Sequence, residues 1–262
     1  MIIRLRNGDE SAPLFLFPGA GADARELSGL ASSIDSPRAM LGMEFSTFSA
    51  GDNEPPTVTS IAAACVREIG TVQQYGPYCL VGYSFGGLVA VEVARLLGNA
   101  GEKIGLLAVI DTLPDQRNWP RSLFLLSQAR RVRWHLRRIN GLPARDAIRE
   151  FNLRLRGLGL RLRARRGSLA SSGTSSCTSS TNSPQARCLA AMKCYVPAYY
   201  PGKIIIFSAE DEDFGCDPVY LWRRFADRIE QWTIPGSHVG IIRNRNSLSS
   251  LASALDACLH NA

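Results

Sequence analysis

The sequence predicts an α/β fold in which a mostly parallel sheet is covered by helices on both faces. Segments such as PLFLF and YCLVGY are apolar almost throughout, which is typical of strands buried on both sides. Segments with the helical spacing of apolar residues alternate with these strands along the chain. The chain has 262 residues, 45% of them apolar, which is sufficient for one large α/β domain or two small ones.

The elements follow one another in a regular order. Strands are predicted at residues 13–17, 38–44, 78–83, 103–111, 203–211 and 229–234. Helices are predicted between and after them, at residues 24–34, 57–75, 85–98, 218–228 and 247–259. Thr57 or Ser60 is available to cap the second helix, and Gly98 and Gly101 end the third.

Residues 112–185 interrupt this alternation. Apolar residues recur at alternating steps of four and three from Leu125 to Ile139, which predicts one amphipathic helix, and residues 147–162 predict a second. A Ser/Thr/Gly-rich tract at about 167–185 has almost no apolar content, so it is predicted to be a flexible loop. We therefore expect a core made of residues 1–111 and 186–262, with a helical lid inserted at 112–185.

The insert is strongly basic, whereas the rest of the chain is acidic. Residues 117–166 contain 15 arginines against Asp146 and Glu150, a local net charge of +13 in a chain whose total is +7. Such a segment is either a solvated helix face or a surface that attracts an acidic partner. Nucleic acid is not expected, because no recognised binding motif occurs. Contact of the basic helix with an anionic membrane is a less favoured alternative.

Composition also predicts where the protein works and what it does not bind. No apolar run reaches the roughly 18–20 residues that a membrane helix needs, and the N-terminus lacks the apolar segment of a signal peptide. Seven scattered cysteines, with no C-x-x-C pair, argue against a disulfide framework and a zinc site. The sequence therefore predicts a cytoplasmic protein with reduced thiols and no cofactor of its own.

The segment GYSFG at residues 82–86 contains the principal candidate nucleophile, Ser84. It directly follows a predicted buried strand and directly precedes a predicted helix, which is the arrangement of a nucleophile elbow. The turn is so tight that bulkier residues at Gly82 and Gly86 would collide with neighbouring chain. Ser84 is therefore expected at the carboxyl edge of the sheet, beside the positive end of a helix. The alternative is a glycine-rich turn with a serine cap.

A serine hydroxyl needs a base, and the chain has three histidines. His135 lies among arginines on the predicted basic helix, and His260 is almost at the C-terminus. His238 lies in the Pro/Gly-containing loop after the last predicted strand, again at the carboxyl edge of the sheet. His238 is therefore the predicted base, and an ordinary loop histidine is the alternative.

The third catalytic group must be a carboxylate that orients the imidazole and offsets its developing charge. Asp111 ends the strand after the serine's helix, and Asp211 or Asp213 ends the next strand. All of them give the chain order Ser, Asp, His, so periodicity does not choose between them. We favour Asp111, because it is the only acid at an apolar strand end, whereas residues 210–213 form an acidic run typical of a solvated loop.

Two backbone N–H groups are predicted to form an oxyanion hole. One is that of Phe85, directly after the nucleophile, and the other belongs to the FPGAGA loop after the first strand. Gly19 and Gly21 would let the backbone approach a substrate closely, and we choose Ala20 between them as the donor. The alternative for this loop is a tight turn into the next helix.

Together these segments resemble the thioesterase domains of non-ribosomal peptide and polyketide synthases. The resemblance is carried by LFLFPGAGA, YGPYCLVGYSFGGLVAVEVARLL, LLAVIDTLPD, YYPGKIIIFSAED, DPVYLWRRF and IPGSHVGII. It covers about 13–115 and 186–258, whereas the insert at 116–185 fits only by position, as that family's variable helical lid. The resemblance implies an α/β-hydrolase fold, and it places the catalytic acid at Asp111.

The resemblance also implies a reaction. Ser84, deprotonated by His238, would attack a thioester on the phosphopantetheine arm of a carrier protein, and the acyl-serine would then react with water or with an internal nucleophile. The substrate thus arrives on a partner, and the protein needs no cofactor. Because carrier proteins and phosphopantetheine are negatively charged, an acyl- or peptidyl-carrier protein is expected to dock near the basic lid.

The elbow GYSFGG and the loop FPGAG resemble the product-releasing branch of this family. The residues before the elbow are too few to include a carrier domain, so the chain is expected to be either a stand-alone protein or an excised domain. Two other functions stay open: a generic α/β-hydrolase acting on esters or acyl-coenzyme A, and a non-catalytic scaffold that binds partners through the basic insert.

Overall fold

The computed structural model describes residues 1–45, 56–127, 129, 183–211 and 217–260. These residues form one sheet with helices on both faces. Its seven strands are β1 (Ile2–Arg6), β2 (Leu14–Phe17), β3 (Met40–Met43), β4 (Tyr78–Tyr83), β5 (Ile104–Ile110), β6 (Tyr200–Ala209) and β7 (Ala226–Ile234). Their order in the sheet is β1-β3-β2-β4-β5-β6-β7. β1 pairs antiparallel with β3, and every other pair is parallel. The predicted α/β class with a mostly parallel sheet is therefore confirmed.

The helices divide between the two faces. They are α1 (Ser28–Ser33), α2 (Val58–Val72), α3 (Phe85–Asn99), α4 (Pro184–Cys194), α5 (Pro218–Trp222) and α6 (Arg245–Leu259). Apolar residues of α2, α3, α4 and α5 pack on one face of the sheet, and those of α1 and α6 pack on the other. Strands such as β2 and β4 are buried along their whole length, because both faces are covered. None of the helices in the described ranges is long and apolar enough to cross a membrane.

All six predicted strands are present. The structure also contains a strand, β1, and a helix, α4, that the sequence did not predict. The cap of α2 is as predicted, because Thr57 and Ser60 form a reciprocal capping box. The helix predicted at 218–228 is wrong in length. It ends at Trp222, since the chain turns and then enters β7 at Ala226 to pair in parallel with β6.

Residues 121–127 begin a helix at the start of the predicted lid. Most of the rest of the predicted lid, including the second amphipathic helix at 147–162 and most of the Ser/Thr-rich tract at 167–185, lies outside the described residues. At the end of that tract, Ser183 accepts a hydrogen bond from the Ala186 N–H and caps α4, and Pro184 is in the first turn. The division into a core and an inserted lid stays a prediction.

Candidate active site

Ser84 lies between β4 and α3 in a sharply bent backbone. Its φ is +53°, in the left-handed region that residues with a side chain rarely adopt. A Cβ added to Gly82 would lie 2.4 Å from the carbonyl oxygen of Gly86, and one added to Gly86 would lie 2.2 Å from that of Phe17. The glycines are thus required by close backbone packing, as the elbow prediction expects. The Ser84 N–H donates to the Ile110 carbonyl at 2.9 Å, which fixes the elbow to the end of β5.

Thr112 gives the elbow a second attachment to β5. Its hydroxyl lies 3.0 Å from the Ser84 carbonyl oxygen and 3.0 Å from that of Ile110. The Thr112 carbonyl accepts a hydrogen bond of 2.9 Å from the indole N–H of Trp222, which is fully buried on α5. Sequence reasoning missed both residues. Their roles depend on contacts between distant segments, for which the sequence carries no local signal.

Asp111 follows the last residue of β5 and is held in a fixed orientation. Its φ is +46°, and its N–H donates to the Phe207 carbonyl at 2.7 Å. Ser84 and Asp111 are the only residues other than glycine with positive φ among those described. The carboxylate is buried. One oxygen accepts from the Ala209 N–H at 3.2 Å, and the other lies 2.5 Å from Nδ1 of His238. The side chain is thus aimed at the imidazole.

His238 lies on the loop between β7 and the short 3-10 helix Gly240–Ile242. Its ring stacks on that of Tyr83, with centroids 5.2 Å apart and planes inclined by 26°. The Tyr83 hydroxyl donates to the backbone carbonyl of His238 at 2.9 Å. The residue directly before Ser84 therefore contacts both the side chain and the backbone of His238, which places the imidazole beside the elbow.

The other candidates lie elsewhere. Asp211 has an exposed side chain, and its backbone N–H donates to the Gly236 carbonyl at 3.0 Å, so it supports the His238 loop through its main chain. His260 follows α6, where its Nδ1 lies 2.7 Å from the Asp256 carbonyl oxygen. His135 and Asp213 lie outside the described residues. Of the two candidate aspartates that the structure describes, Asp111 is therefore the one that contacts His238.

The FPGAGA loop lies directly over the elbow. If Gly86 had a Cβ, that atom would clash with the carbonyl oxygens of Phe17 and Pro18, which are the first two residues of this loop. The Gly19 N–H donates to the Glu26 carboxylate at 3.2 Å and is thus occupied. Ala20 is half-buried against the core, and Phe85 is buried. The loop and the first turn of α3 are therefore in direct contact.

A cleft of about 360 Å³ opens beside this loop. Gly21, Phe45 and Cys188 are among its lining residues, and Phe45 also packs edge-to-face on Phe85, with centroids 5.7 Å apart. Burial raises the pKa of the Cys188 thiol above its ordinary value, so this thiol stays protonated near pH 7 and is a poor nucleophile. The cleft is thus lined by both apolar and charged side chains, and its one thiol among the described residues is not a competing thiolate.

Comparisons with known proteins agree with the fold. The family model described as Thioesterase domain matches residues 12–258. Enterobactin synthase component F of Escherichia coli (strain K12) is 26% identical over 249 residues, which are 92% of this chain and 17% of that protein. A dimodular nonribosomal peptide synthase of Bacillus subtilis (strain 168) is 32% identical over 115 residues, 44% of this chain and 5% of that protein. The chain thus spans a small part of both relatives.

Solved structures of similar fold include a thioesterase domain and a type II thioesterase. The NocB thioesterase domain from the nocardicin cluster is 21% identical, with a TM-score of 0.61, covering 95% of this chain and 94% of that one. The type II thioesterase BorB from the borrelidin biosynthetic cluster is 19% identical, with a TM-score of 0.60, covering 100% of this chain and 97% of that one. At these identities the likeness shows the shared fold.

Proposed function

Because the chain belongs to the thioesterase domain family, we propose that it is a serine thioesterase whose catalytic triad is Ser84, Asp111 and His238. The observation that carries the proposal is the contact of 2.5 Å between the buried Asp111 carboxylate and Nδ1 of His238, beside the nucleophile elbow. Two strained backbone positions, Ser84 and Asp111, occur together at this edge of the sheet, which is typical of a functional site.

The first step forms an acyl-serine. Asp111 accepts a hydrogen bond from Nδ1–H of His238, which leaves Nε2 to take the proton from the Ser84 hydroxyl as Oγ bonds to the thioester carbon. The carbonyl π electrons move onto oxygen. When the carbonyl re-forms, the carbon–sulfur bond breaks, and the departing thiolate receives the proton from the imidazolium. The buried Asp111 carboxylate stabilises the imidazolium while the charge exists.

The oxyanion of this step is stabilised by backbone donors. We assign them to the N–H groups of Ala20 and Phe85, since the FPGAGA loop lies over the first turn of α3. The Gly19 N–H is bonded to Glu26 and therefore does not serve. Phe85 is also the first residue of α3, so the positive end of that helix supports the same negative charge.

The second step transfers the acyl group from Ser84. His238 removes a proton from water, or from a nucleophile within the bound chain, as the new bond forms to the ester carbon. The proton returns to Ser84 Oγ as the acyl group leaves. Water gives hydrolysis, and an internal nucleophile gives a ring. The side chains act identically in both cases, so the outcome depends on which nucleophile the acyl chain and the site position near the ester.

The proposed substrate is an acyl or peptidyl chain on the phosphopantetheine arm of a carrier protein. Support comes from the peptide synthases among the relatives, in which the matching segment is a small part of a much longer chain. The carrier partner is proposed to be acidic and to dock near the basic insert, whose local charge is +13. The proposed reaction needs no cofactor, because Ser84 supplies the nucleophile, His238 carries each proton, and the backbone N–H groups stabilise the oxyanion.

A panel of thioesters tests the substrate class. We expect an acyl-loaded carrier protein to be turned over with a higher kcat/KM than the same acyl group on coenzyme A or as a simple ester. Ser84→Ala should remove the activity, and Asp111→Asn should lower kcat roughly 10³–10⁴-fold. The matched control Ser250→Ala, at an exposed helix position, should leave it unchanged. Product masses distinguish hydrolysis from ring formation.

Two results of this panel would contradict the proposal. Preference for coenzyme A or for simple esters would favour a generic α/β-hydrolase. Full activity of Ser84→Ala, or no activity of the wild-type protein on any of the three substrates, would remove the triad assignment and favour a binding scaffold. Far-ultraviolet circular dichroism of each variant establishes that lost activity does not reflect lost folding.

A further inference from the structure

A basic cleft lies at the start of the lid insert, separate from the cleft beside the FPGAGA loop. We name it the stem cleft. It has a volume of about 490 Å³ and is lined by Asp115, Arg117, Trp119, Arg121, Phe124 and Lys193, together with Gln116. Most of its wall comes from the segment that leaves β5, and Lys193 comes from the last turn of α4. The segment after β5 and the last turn of α4 therefore meet at this cleft.

Among the described lining residues of the stem cleft, cations outnumber acids. Asp115 is the one carboxylate among them, and its side chain is largely buried, 4.0 Å from the Arg117 guanidinium. Arg121 and Lys193 are exposed, and neither forms an ion pair with any residue in the described ranges. The cleft therefore presents uncompensated positive charge to an incoming ligand.

The floor of the stem cleft is apolar and fixed in place. Trp119 is buried, and its indole N–H donates to the Pro114 carbonyl at 2.9 Å. The Asn118 side-chain amide donates to the Tyr195 carbonyl at 2.8 Å, which joins the wall that includes Arg117 to the segment that follows Lys193. Phe124 remains 38% exposed at the edge of the cleft. A ligand with an anionic end and a compact apolar part would therefore match it.

The stem cleft is also close to the triad along the chain. Asp115 comes four residues after Asp111, so the two Cα atoms are at most about 14 Å apart. Thr112, between them, is fixed to the elbow and to Trp222. The cleft thus lies on the side of the sheet where the elbow is, within reach of a ligand whose other end enters the active site.

We propose that the stem cleft binds the phosphopantoyl part of the carrier arm. Arg121 and Lys193 hold the phosphodiester, with Arg117 beside them, and the gem-dimethyl group of the pantoyl unit packs against Phe124 and Trp119. The proposal rests on the proposed function, because it assigns part of the same substrate to a second site. This occupant accounts for both the charge and the apolar floor, whereas a simple anion accounts only for the charge.

Binding of the arm without its acyl group tests the proposal directly. In the full chain carrying Ser84→Ala, calorimetry should show that 4′-phosphopantetheine binds at least about 10-fold more tightly than pantetheine, and that this ratio falls as salt rises. Adding Arg121→Gln and Lys193→Gln should bring the ratio to about one. Adding Arg67→Gln and Arg245→Gln, two exposed cations away from the cleft, should preserve it.

Two outcomes of the binding test would overturn the proposal. An unchanged ratio in the Arg121→Gln and Lys193→Gln protein would show that the phosphate binds elsewhere. Inorganic phosphate competing as well as phosphopantetheine would show that the pantoyl unit contributes nothing. Because this test does not involve turnover, its result holds even if the chain has no thioesterase activity.

Kinetics of two matched thioesters separate this proposal from the proposed function. Acyl-pantetheine and acyl-phosphopantetheine carry the same reacting group, so turnover of either one supports the thioesterase assignment. In the Arg121→Gln and Lys193→Gln protein, with Ser84 intact, KM should rise about 10-fold for the phosphorylated substrate alone, with kcat unchanged. An equal rise for both substrates would contradict the stem cleft as a phosphate site.

Discussion

Tyr83 connects the nucleophile to the two loops that surround it. Its ring stacks on His238, and its hydroxyl donates to the His238 carbonyl. On the oxyanion side, a Cβ added to Gly19 would lie 3.3 Å from the same ring. Tyr83 is thus a positioning residue, because it fixes the imidazole from the strand that also presents Ser84. Sequence reasoning treated it only as part of the elbow motif.

Removing the Tyr83 hydroxyl should remove its hydrogen bond to the His238 backbone while preserving the stacking of the two rings. We expect Tyr83→Phe to lower kcat by about 3- to 10-fold, since a hydrogen bond of this kind contributes about 1 kcal/mol. Tyr83→Leu, which removes the stack as well, should lower kcat further. The pH profile of kcat/KM, which reports the ionisable groups of the free enzyme, is the second quantity to compare between each variant and the wild type.

A control distinguishes positioning from general destabilisation. Tyr75→Phe removes the hydroxyl of a tyrosine that is 74% exposed, and it should leave kcat, KM and the pH profile unchanged. If Tyr83→Phe and Tyr83→Leu lower the melting temperature but leave kcat and the pH profile as in the wild type, the role of Tyr83 is structural and the assignment is wrong.

At the scale of elements, a buried polar cluster joins α3 to the segment after α4. Glu92 on α3 is almost fully buried, and it accepts two hydrogen bonds from Arg95, at 2.7 and 3.0 Å. The hydroxyl of buried Tyr195 donates to the same carboxylate at 2.9 Å. The helix that begins at the nucleophile is thereby attached to the chain that returns from the insert.

This cluster predicts a specific dependence of stability on pH. Burial, followed by the Glu92 charge, raises the pKa of the Tyr195 phenol above its ordinary value of 10.0. A raised folded-state pKa stabilises the fold below the unfolded pKa, and this contribution is lost as pH rises above about 10. Tyr195→Phe should therefore lower the free energy of unfolding by about 1–2 kcal/mol at pH 8, and by progressively less above pH 10.

Denaturant unfolding of the two proteins at several pH values measures this difference. Since both proteins contain the same other titrating groups, their effects cancel in the comparison. A difference between Tyr195→Phe and the wild type that stays constant from pH 8 to pH 11 would contradict the buried, neutral phenol. Tyr220→Phe, at an exposed position on α5, is the matched control and should leave the free energy of unfolding unchanged at every pH measured.

Elements buried on both faces were predictable, and half-exposed ones were not. β2 and β4 are continuous apolar runs, which no solvated loop would contain. β1 has only five residues, IIRLR, at an edge of the sheet, and two of them are arginines, so it is not a continuous apolar run. α4 begins with a serine cap and Pro184, but both residues stand at the end of the Ser/Thr-rich tract, so they were predicted as part of a flexible loop. α5 ends early because pairing with β6 extends β7, and sequence spacing does not report pairing.

At the scale of the whole molecule, parallel strands explain why the candidate site could be found. Ser84 follows β4, Asp111 follows β5 and His238 follows β7, and the carboxyl ends of parallel strands lie at one edge of a sheet. Chain order and strand polarity therefore identify the candidates. The sequence favoured Asp111 over Asp211 because Asp111 ends an apolar strand, and the family resemblance supported that choice, but only the structure reports which of the two side chains reaches the imidazole.

The residues that hold the site in place could not be predicted from the sequence. Thr112, Trp222 and Tyr83 act through hydrogen bonds or ring contacts between segments far apart in the chain. Their residue types are common in cores, so no local pattern distinguishes them. The stem cleft likewise depends on the segment after β5 meeting the last turn of α4, which spacing along the chain does not reveal.

Formation of a covalent bond at Ser84 is the most direct test of the whole account. On exposure to a fluorophosphonate probe, the protein should gain the mass of one adduct, and peptide mapping should place it on Ser84. The adduct should be absent in Ser84→Ala and should form much more slowly in His238→Ala, because the hydroxyl then lacks its base. A folded wild-type protein that gains no adduct at Ser84, or gains it as fast without His238, would contradict the account.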